Sequence, residues 1–273
     1  MAVSAIVPSI DLIRRTLDCE VAYTLSRMRV LERLEGNPVG IAYRKVGKSG
    51  WALRARHLPV PSFNAVIGLA AGDEREIAPV LRWYRDAEVT PQVEIVPGLE
   101  DAMLLRELAR LGYRHSSFHV SMIARPSEAN APDPAVEVER VTGPEAFEDF
   151  LDAYIAGRQI PDGAGFKRNV RPWLDQPGWS LFLGRADGKP AAAAILYLRE
   201  GFGYLADAAT DPVCRGRGLQ TALLSHRLRH AAEQGAEYVC SGATFLSTSH
   251  RNMVRAGMTL QFVRALWTAG DDA

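Results

Sequence analysis

Apolar positions recur in two rhythms along the chain, and the two alternate. Over Glu74 to Asp86, Ile77, Val80, Leu81 and Tyr84 return at the spacing of one helical face, so a helix is predicted there. Helices are likewise predicted over Asp11 to Leu34 and Leu99 to Leu111, the latter ending at Gly112, a residue suited to the left-handed turn after a helix. Strands are predicted at Ser62 to Leu69, Gln92 to Val96 and Ser117 to Ile123, and Gly40 to Val46 with Trp51 to Leu58 reads as a hairpin across Gly47-Lys48-Ser49-Gly50.

The same succession returns further on. Pro144 to Ile155 begins a helix with Phe147, Phe150, Leu151 and Tyr154 on one face, and a second helix is expected within Phe166 to Leu174. Ser180 to Ala186 and Ala191 to Leu198 read as strands around an Asp187-Gly188 turn, followed by a strand from Gly203 to Thr210. A helix from about Gly218 to Gln234, a strand from Tyr238 to Ser241, a helix from about Ser249 to Arg255 and a strand from Leu260 to Trp267 complete the pattern. Strand, helix, strand, helix, glycine and strand thus occur twice, which points to an internal repeat in an α/β fold. The polar, proline-rich stretch between Arg125 and Pro134 has no periodicity, so the expected organisation is a domain at 1–125, a linker at 126–135 and a domain at 136–273.

Composition then removes several classes. At 273 residues, with 47% hydrophobic and 23% charged residues, the chain can build real cores and is neither disordered nor fibrous. Lys+Arg and Asp+Glu are both 32, so bulk charge draws the chain to neither nucleic acid nor an acidic membrane, and any anion site must be local. Cys19, Cys214 and Cys240 have no CxxC spacing, so neither a disulfide framework nor a metal site is expected. Their number fits a reducing cytoplasm, and Asp11, Arg14 and Arg15 interrupt the N-terminal apolar stretch before an export signal could form. The longest apolar run, Ala191 to Leu198, falls far short of a membrane span.

The chemistry concentrates in Asp211-Pro212-Val213-Cys214-Arg215-Gly216-Arg217-Gly218-Leu219-Gln220-Thr221. A predicted strand ends, a glycine-rich turn follows and a helix begins, which aims free backbone N–H groups and the positive end of the helix dipole at one point. Glycines at 216 and 218 allow close approach of an anion, and Arg215 and Arg217 add charge, so the stretch reads as a phosphate cradle. It lacks the Lys of a Walker loop and the third Gly of a dinucleotide fingerprint.

This stretch resembles the GNAT N-acetyltransferase superfamily, whose acyl-CoA pyrophosphate loop reads Arg/Gln-x-x-Gly-x-Gly/Ala and stands here as Arg215-Gly216-Arg217-Gly218-Leu219-Gln220, with Gln220 in place of the small residue. Ser247 to Met258 is similar to the family's second cofactor-contacting segment, its closing Gly-aromatic reduced to Gly257-Met258. The resemblance covers 136–267 well and the first half more weakly, as a degenerate copy in which Ala71-Gly72-Asp73-Glu74-Arg75 replaces the glycine loop with an acidic turn. It implies two tandem GNAT-like domains with mixed sheets, the acyl-CoA N-acyltransferase fold, and one active site using acetyl-CoA or another acyl-CoA and no metal. By the same resemblance, Arg215, Gly216, Arg217, Gly218, Leu219, Gln220 and Thr221 hold the pyrophosphate; Ala208, Ala209 and Thr210 pair with the pantetheine arm; and Ser249 and Asn252 contact the cofactor. The strand carrying Ala208 would splay from Tyr238 to Ser241, and Ala208 would offer its N–H to the thioester oxygen.

For the acid and base the residues decide less. The family's Glu position is Tyr204 and its Tyr position is Met253, so Asp207 is the expected base, against an ordinary solvated strand-end Asp, and Ser249 the expected proton donor, against a plain helix N-cap. Tyr154, Arg158, Phe166, Arg168, Arg171, Trp173 and Trp179 fall where the superfamily builds its acceptor site, or else form a helical core with solvated charges. His226 and His230 lie four apart on a helix, a spacing open to a metal, but read as surface or interface residues; Cys240 reads as a buried apolar residue. The expected activity is transfer of an acetyl group to a small-molecule or protein amine, with a homodimer left open. The rival is a non-catalytic acyl-CoA binding or sensing protein, and an RNA-binding role through the Arg-rich turn is disfavoured because the unit occurs once.

Overall fold

Ser9 starts the structure's longest helix, its hydroxyl accepting a hydrogen bond from the N–H of Leu12 and so satisfying one donor of the first turn. The computed structural model describes residues 6–128 and 136–270. One of its two units is Pro8–Ser121 together with Gln261–Ala273, and the other is built on Met122–Leu260. The boundary therefore lies inside a strand, and the last strand of the chain counts with the N-terminal unit, where a single cut near 126–135 was expected. Of that expected linker, Pro126–Glu128 forms a short 3-10 turn, and 129–135 lies outside the described residues.

In the N-terminal unit the chain runs through α1 (Ile10–Glu32), β1 (Ile41–Val46), β2 (Gly50–Ala55), β3 (Ala65–Ile67), α2 (Glu74–Arg85), β4 (Gln92–Ile95), α3 (Ala102–Arg110) and β5 (Tyr113–Ala124). β1 and β2 pair antiparallel, as do β2 and β3, whereas β3 and β4 run parallel, with α2 as the crossover. Alternation along the strands divides the core. Leu53, Ala65 and Ile67 pack with Ile13, Leu17 and Leu25 of α1, while Ala52 and Val66 pack with Ile77, Val80 and Leu108 of α2 and α3.

The C-terminal unit continues through β6 (Val138–Arg140), α4 (Pro144–Arg158), α5 (Gly163–Val170), β7 (Trp179–Ala186), β8 (Lys189–Arg199), β9 (Phe202–Thr210), α6 (Leu219–Glu233), β10 (Tyr238–Thr244) and α7 (Thr248–Arg255), after which β11 (Thr259–Ala269) returns to the N-terminal unit from Gln261 on. β6 to β9 form an antiparallel meander, and β10 adds parallel to β9 after the α6 crossover. The order and pairing sense of β2-β3-α2-β4-α3 match those of β8-β9-α6-β10-α7. β6 was not expected; its three residues are half-buried or exposed and carry no run of apolar residues.

β11 lies antiparallel to β4, with Leu266 opposite Glu94. Its buried Arg264 donates to Glu20 of α1 at 2.6 Å and to Glu94 of β4 at 2.5 Å. Burial opposes the charge on Arg264, yet the two carboxylates outweigh it and hold the guanidinium well above its ordinary pKa. Among the described residues no helix is long and apolar enough to cross a membrane.

Candidate functional site: a glycine loop and a splayed strand pair

β9 makes the site by being paired unequally on its two sides. Toward β10 the register runs only over Phe202, Gly203 and Tyr204, opposite Tyr238, Val239 and Cys240. Beyond Tyr204 and Cys240 the two strands are out of register, so the segment from Leu205 to Thr210, expected to splay from the strand Tyr238 to Ser241, parts from it there. Toward β8, Ala209 faces Ala193 and Ala206 faces Ile195, which leaves one extra residue in β9 and makes a bulge at Asp207 and Ala208. Asp207 takes φ +43°, a conformation uncommon for a residue with a side chain. The bulge is pinned from below by Arg227 of α6, which is fully buried and donates from Nη1 to the carbonyls of Ile195 at 2.9 Å and Ala206 at 3.2 Å.

From Thr210 the chain enters the glycine loop. Asp211 accepts from the N–H of Val213, closing a 3-10 turn over Pro212–Cys214. Gly216 and Gly218 both stand at φ +79°, and Gly218 is the N-cap of α6. An added Cβ at Gly216 would touch nothing within 4 Å, so glycine is needed at these positions for backbone angle and not for room. Gln220 donates to the hydroxyl of Thr210 at 2.6 Å, tying the first turn of α6 to the end of β9 in a way a small residue could not. The two arginines differ. Arg217 forms a two-pronged ion pair with Asp187 at 2.9 Å, which lowers the Asp187 carboxyl and raises the guanidinium, whereas Arg215 has no side-chain partner among the described residues.

α7 closes the third side. Its N-cap is Ser247, whose hydroxyl accepts from the N–H of His250, so the cap reading of Ser249 is corrected: Ser249 is the second residue of the helix, in its first turn, with Asn252 three residues further on. A cavity of about 770 Å³ is lined by Ala208, Ala209, Thr210, every residue from Arg215 to Thr221, Ser249 and Asn252. All the residues expected to hold a cofactor therefore meet in one place. Asp207 lines a neighbouring cavity of about 250 Å³ at the splay, with Tyr204, Ser241, Ser249 and Met253.

Two residues of the site, Gly157 and Arg227, were not expected from the sequence, and Arg158 was expected only among the acceptor-site residues. Gly157 lines the larger cavity because α4 touches the end of β9 there. Arg158 borders both cavities and donates to Asp207 at 3.0 Å, so the expected base is an ion-paired carboxylate. Arg227 carried a signal in its position, one turn from Leu223 on the apolar stripe of α6, where a charged residue needs a reason. Of the aromatic residues expected near the acceptor, Tyr154 and Trp173 are buried, while Phe166 and Trp179 are half-buried against them, Tyr154 stacking on Phe166 with ring centres 5.5 Å apart. Cys240 is buried with its thiol on the carbonyl of Gly203, and His230 contacts Ser180, so neither reaches the site. No group of three or more His, Cys, Asp or Glu residues is placed to hold a metal among the described residues.

The corresponding loop of the N-terminal unit, between β3 and α2, is built differently. Asp73 turns inward, buried, and its carboxylate accepts from the N–H groups of Ala70 at 3.0 Å and Lys48 at 3.2 Å. An internal anion thus takes up donors in that loop.

A strand that parts from its parallel neighbour, followed by a glycine turn onto a helix, is the geometry that frames the comparisons. Residues 119–244 match the family model described as an acetyltransferase (GNAT) domain. The fold is shared with a GNAT protein of Kribbella flavida (TM-score 0.63, 14% identity, 92% of this chain and 95% of that one). It is also shared with a tandem GNAT protein from the clavulanic acid biosynthesis pathway (TM-score 0.62, 14% identity, 96% and 97%). A GNAT protein of Sphaerobacter thermophilus gives TM-score 0.55 at 20% identity over 71% of this chain and 66% of that one. None of the curated proteins compared matches the sequence.

Proposed function

We propose that the C-terminal unit is an acyl-CoA-dependent N-acyltransferase that moves an acetyl group from acetyl-CoA to a primary amine by direct attack. The observation that carries this reading is the convergence, on one cavity of about 770 Å³, of two glycines at positive φ, the N-terminus of α6 and the unpaired edge of β9. The pyrophosphate would be held by the N–H groups of the Gly216–Thr221 segment and by Arg215, whose side chain has no partner among the described residues. The edge of β9 from Ala208 to Thr210, unpaired toward β10, suits an extended pantetheine arm, and Ser249 and Asn252 line the opposite wall. Acetyl-CoA supplies the acyl group as a thioester.

Asp207 takes a proton from the acceptor's ammonium, directly or through a water, so that the nitrogen can form the C–N bond while the C–S bond breaks. Of the three ammonium protons, one stays in the amide, one passes by way of Asp207 to solvent, and one ends on the sulfur, delivered through the Ser249 hydroxyl. The N–H of Ala208 stabilises the negative charge that develops on the thioester oxygen, a role whose loss typically costs ~2.7–4 kcal/mol of barrier. The N-terminal unit is a degenerate copy of the same fold, its loop filled by Asp73. Three free cysteines support a cytoplasmic setting. The acceptor is a small-molecule or protein amine.

Free-thiol release from acetyl-CoA, measured with a panel of primary amines, tests the activity. Amine-dependent release with a matching acetylated product is expected. Tight binding of acetyl-CoA without release on any amine would replace the enzyme with a binding or sensing protein.

A further inference from the structure

The Arg158–Asp207 pair is more than a surface ion pair. It sits where the two cavities of the C-terminal unit adjoin, and Arg158 borders both. Three features fix it. Gly157 brings the last turn of α4 against the backbone of Ala209 and Thr210, which sets the Arg158 side chain over the end of β9. The guanidinium carbon of Arg158 lies 5.6 Å from the centre of the Tyr154 ring, within cation–π range. The bulge of β9, with Asp207 at φ +43°, presents the carboxylate that meets it at 3.0 Å. A non-glycine residue held in a sparsely populated backbone region at a cavity points to function.

The pair is also incompletely used. Arg158 gives one hydrogen bond to Asp207, and no other side-chain or backbone acceptor among the described residues takes its remaining N–H donors. Its side chain is 44% exposed, against 12% for Asp207, so the guanidinium is the more accessible partner of the pair. Arginine's planar fork suits a carboxylate bound by two parallel N–H groups.

On the acyltransfer reading above, on which this inference rests, we propose that the acceptor is an amine bearing a carboxylate on the adjacent carbon, an α-amino acid or its close analogue. Arg158 receives the carboxylate and Asp207 the ammonium. Such a ligand carries both charges on neighbouring carbons and replaces a 3.0 Å ion pair charge for charge, so opening the pair leaves neither partner uncompensated. The same contact excludes simple alkylamines, which would leave Arg158 without an anion.

A carboxylate could instead arrive at the far end of a dicarboxylic acyl group, and the test separates the two sources. Matched pairs that differ only in the carboxylate, namely L-phenylalanine and phenethylamine, L-leucine and isopentylamine, and L-lysine and cadaverine, are titrated calorimetrically into the full chain with and without CoA. They are then assayed with acetyl-CoA and with succinyl-CoA. The expected result is at least tenfold tighter binding, and a kcat/KM at least tenfold higher, for the amino acid of one or more pairs, with the ratio falling toward one in Arg158→Gln and partly restored in Arg158→Lys. Equal binding within every pair, or a preference that survives Arg158→Gln, overturns it. So does an Arg158-dependent preference for succinyl-CoA without any preference among acceptors. Amino-acid binding that depends on Arg158 in a chain that fails to bind acetyl-CoA would uphold the receptor and reject the acyltransfer reading, so the two failures are distinct.

Discussion

A Cβ added to Gly157 would stand 2.8 Å from the Cβ of Ala209 and 2.8 Å from the backbone N of Thr210, so α4 meets the end of β9 at backbone distance. Gly→Ala within a helix ordinarily gains up to ~1 kcal/mol. Here the contact is with main chain, which cannot rotate away, and overpacking typically costs ~1–3 kcal/mol. Gly157→Ala is therefore expected to lower the urea midpoint and to weaken acetyl-CoA binding, because the displaced residues line the cavity. An unchanged or higher midpoint would mean that the helix yields freely.

Asp207→Asn separates binding from chemistry. Asn tolerates the left-handed backbone as Asp does, so the bulge at φ +43° is kept while the proposed base is removed. A fall of ~10²–10⁴ in kcat is expected, the range for loss of a general base, with acetyl-CoA affinity within about twofold of wild type. Unchanged turnover would remove Asp207 from the mechanism.

These two residues also show what was legible in the chain and what was not. Every expected helix and strand has a counterpart, because the apolar spacing of α2 or the run in β8 reflects burial along a single element. The glycine loop was legible for the same local reason: backbone angle and helix start are encoded within a few residues. Gly157 was not, since its need for glycine comes from Ala209 and Thr210, more than fifty residues away. Nor were the Arg158–Asp207 and Arg217–Asp187 pairs, which depend on how elements are apposed. The grouping of β11 with the N-terminal unit was hidden too, because a strand's sequence does not name its neighbour.

Arg264, buried between Glu20 and Glu94, tests the seating of β11. Arg264→Met leaves two carboxylates without their cation, and breaking a buried pair from one side costs ~3–5 kcal/mol, to be read as a lower urea midpoint. Replacing all three residues by Met and Leu is expected to recover most of that loss. A single variant as stable as wild type would show that the triad contributes nothing.

Acid sensitivity follows from the histidines. Burial lowers the pKa of His119, His226 and His230 in the fold, with nearby arginines adding to the effect. The unfolded chain then binds more protons than the folded one as pH falls below the reference value of ~6.5. The stabilisation is present above that value and is lost as pH falls through each depressed folded pKa. Urea midpoints between pH 7.5 and 5 should decline, and His230→Gln should flatten the decline; an equal slope in the variant would exclude His230 as a contributor.

The central claim, that the Gly216–Gly218 turn is the pyrophosphate site of an acyl-CoA cavity, is tested most directly by calorimetric titration of acetyl-CoA into wild type and Gly218→Asp, with pantetheine lacking the phosphates as control. The account predicts saturable binding by wild type, weak binding of pantetheine, and loss of acetyl-CoA binding in a variant whose circular dichroism is unchanged. Equal binding by wild type and variant, or none by wild type at millimolar acetyl-CoA, would contradict it.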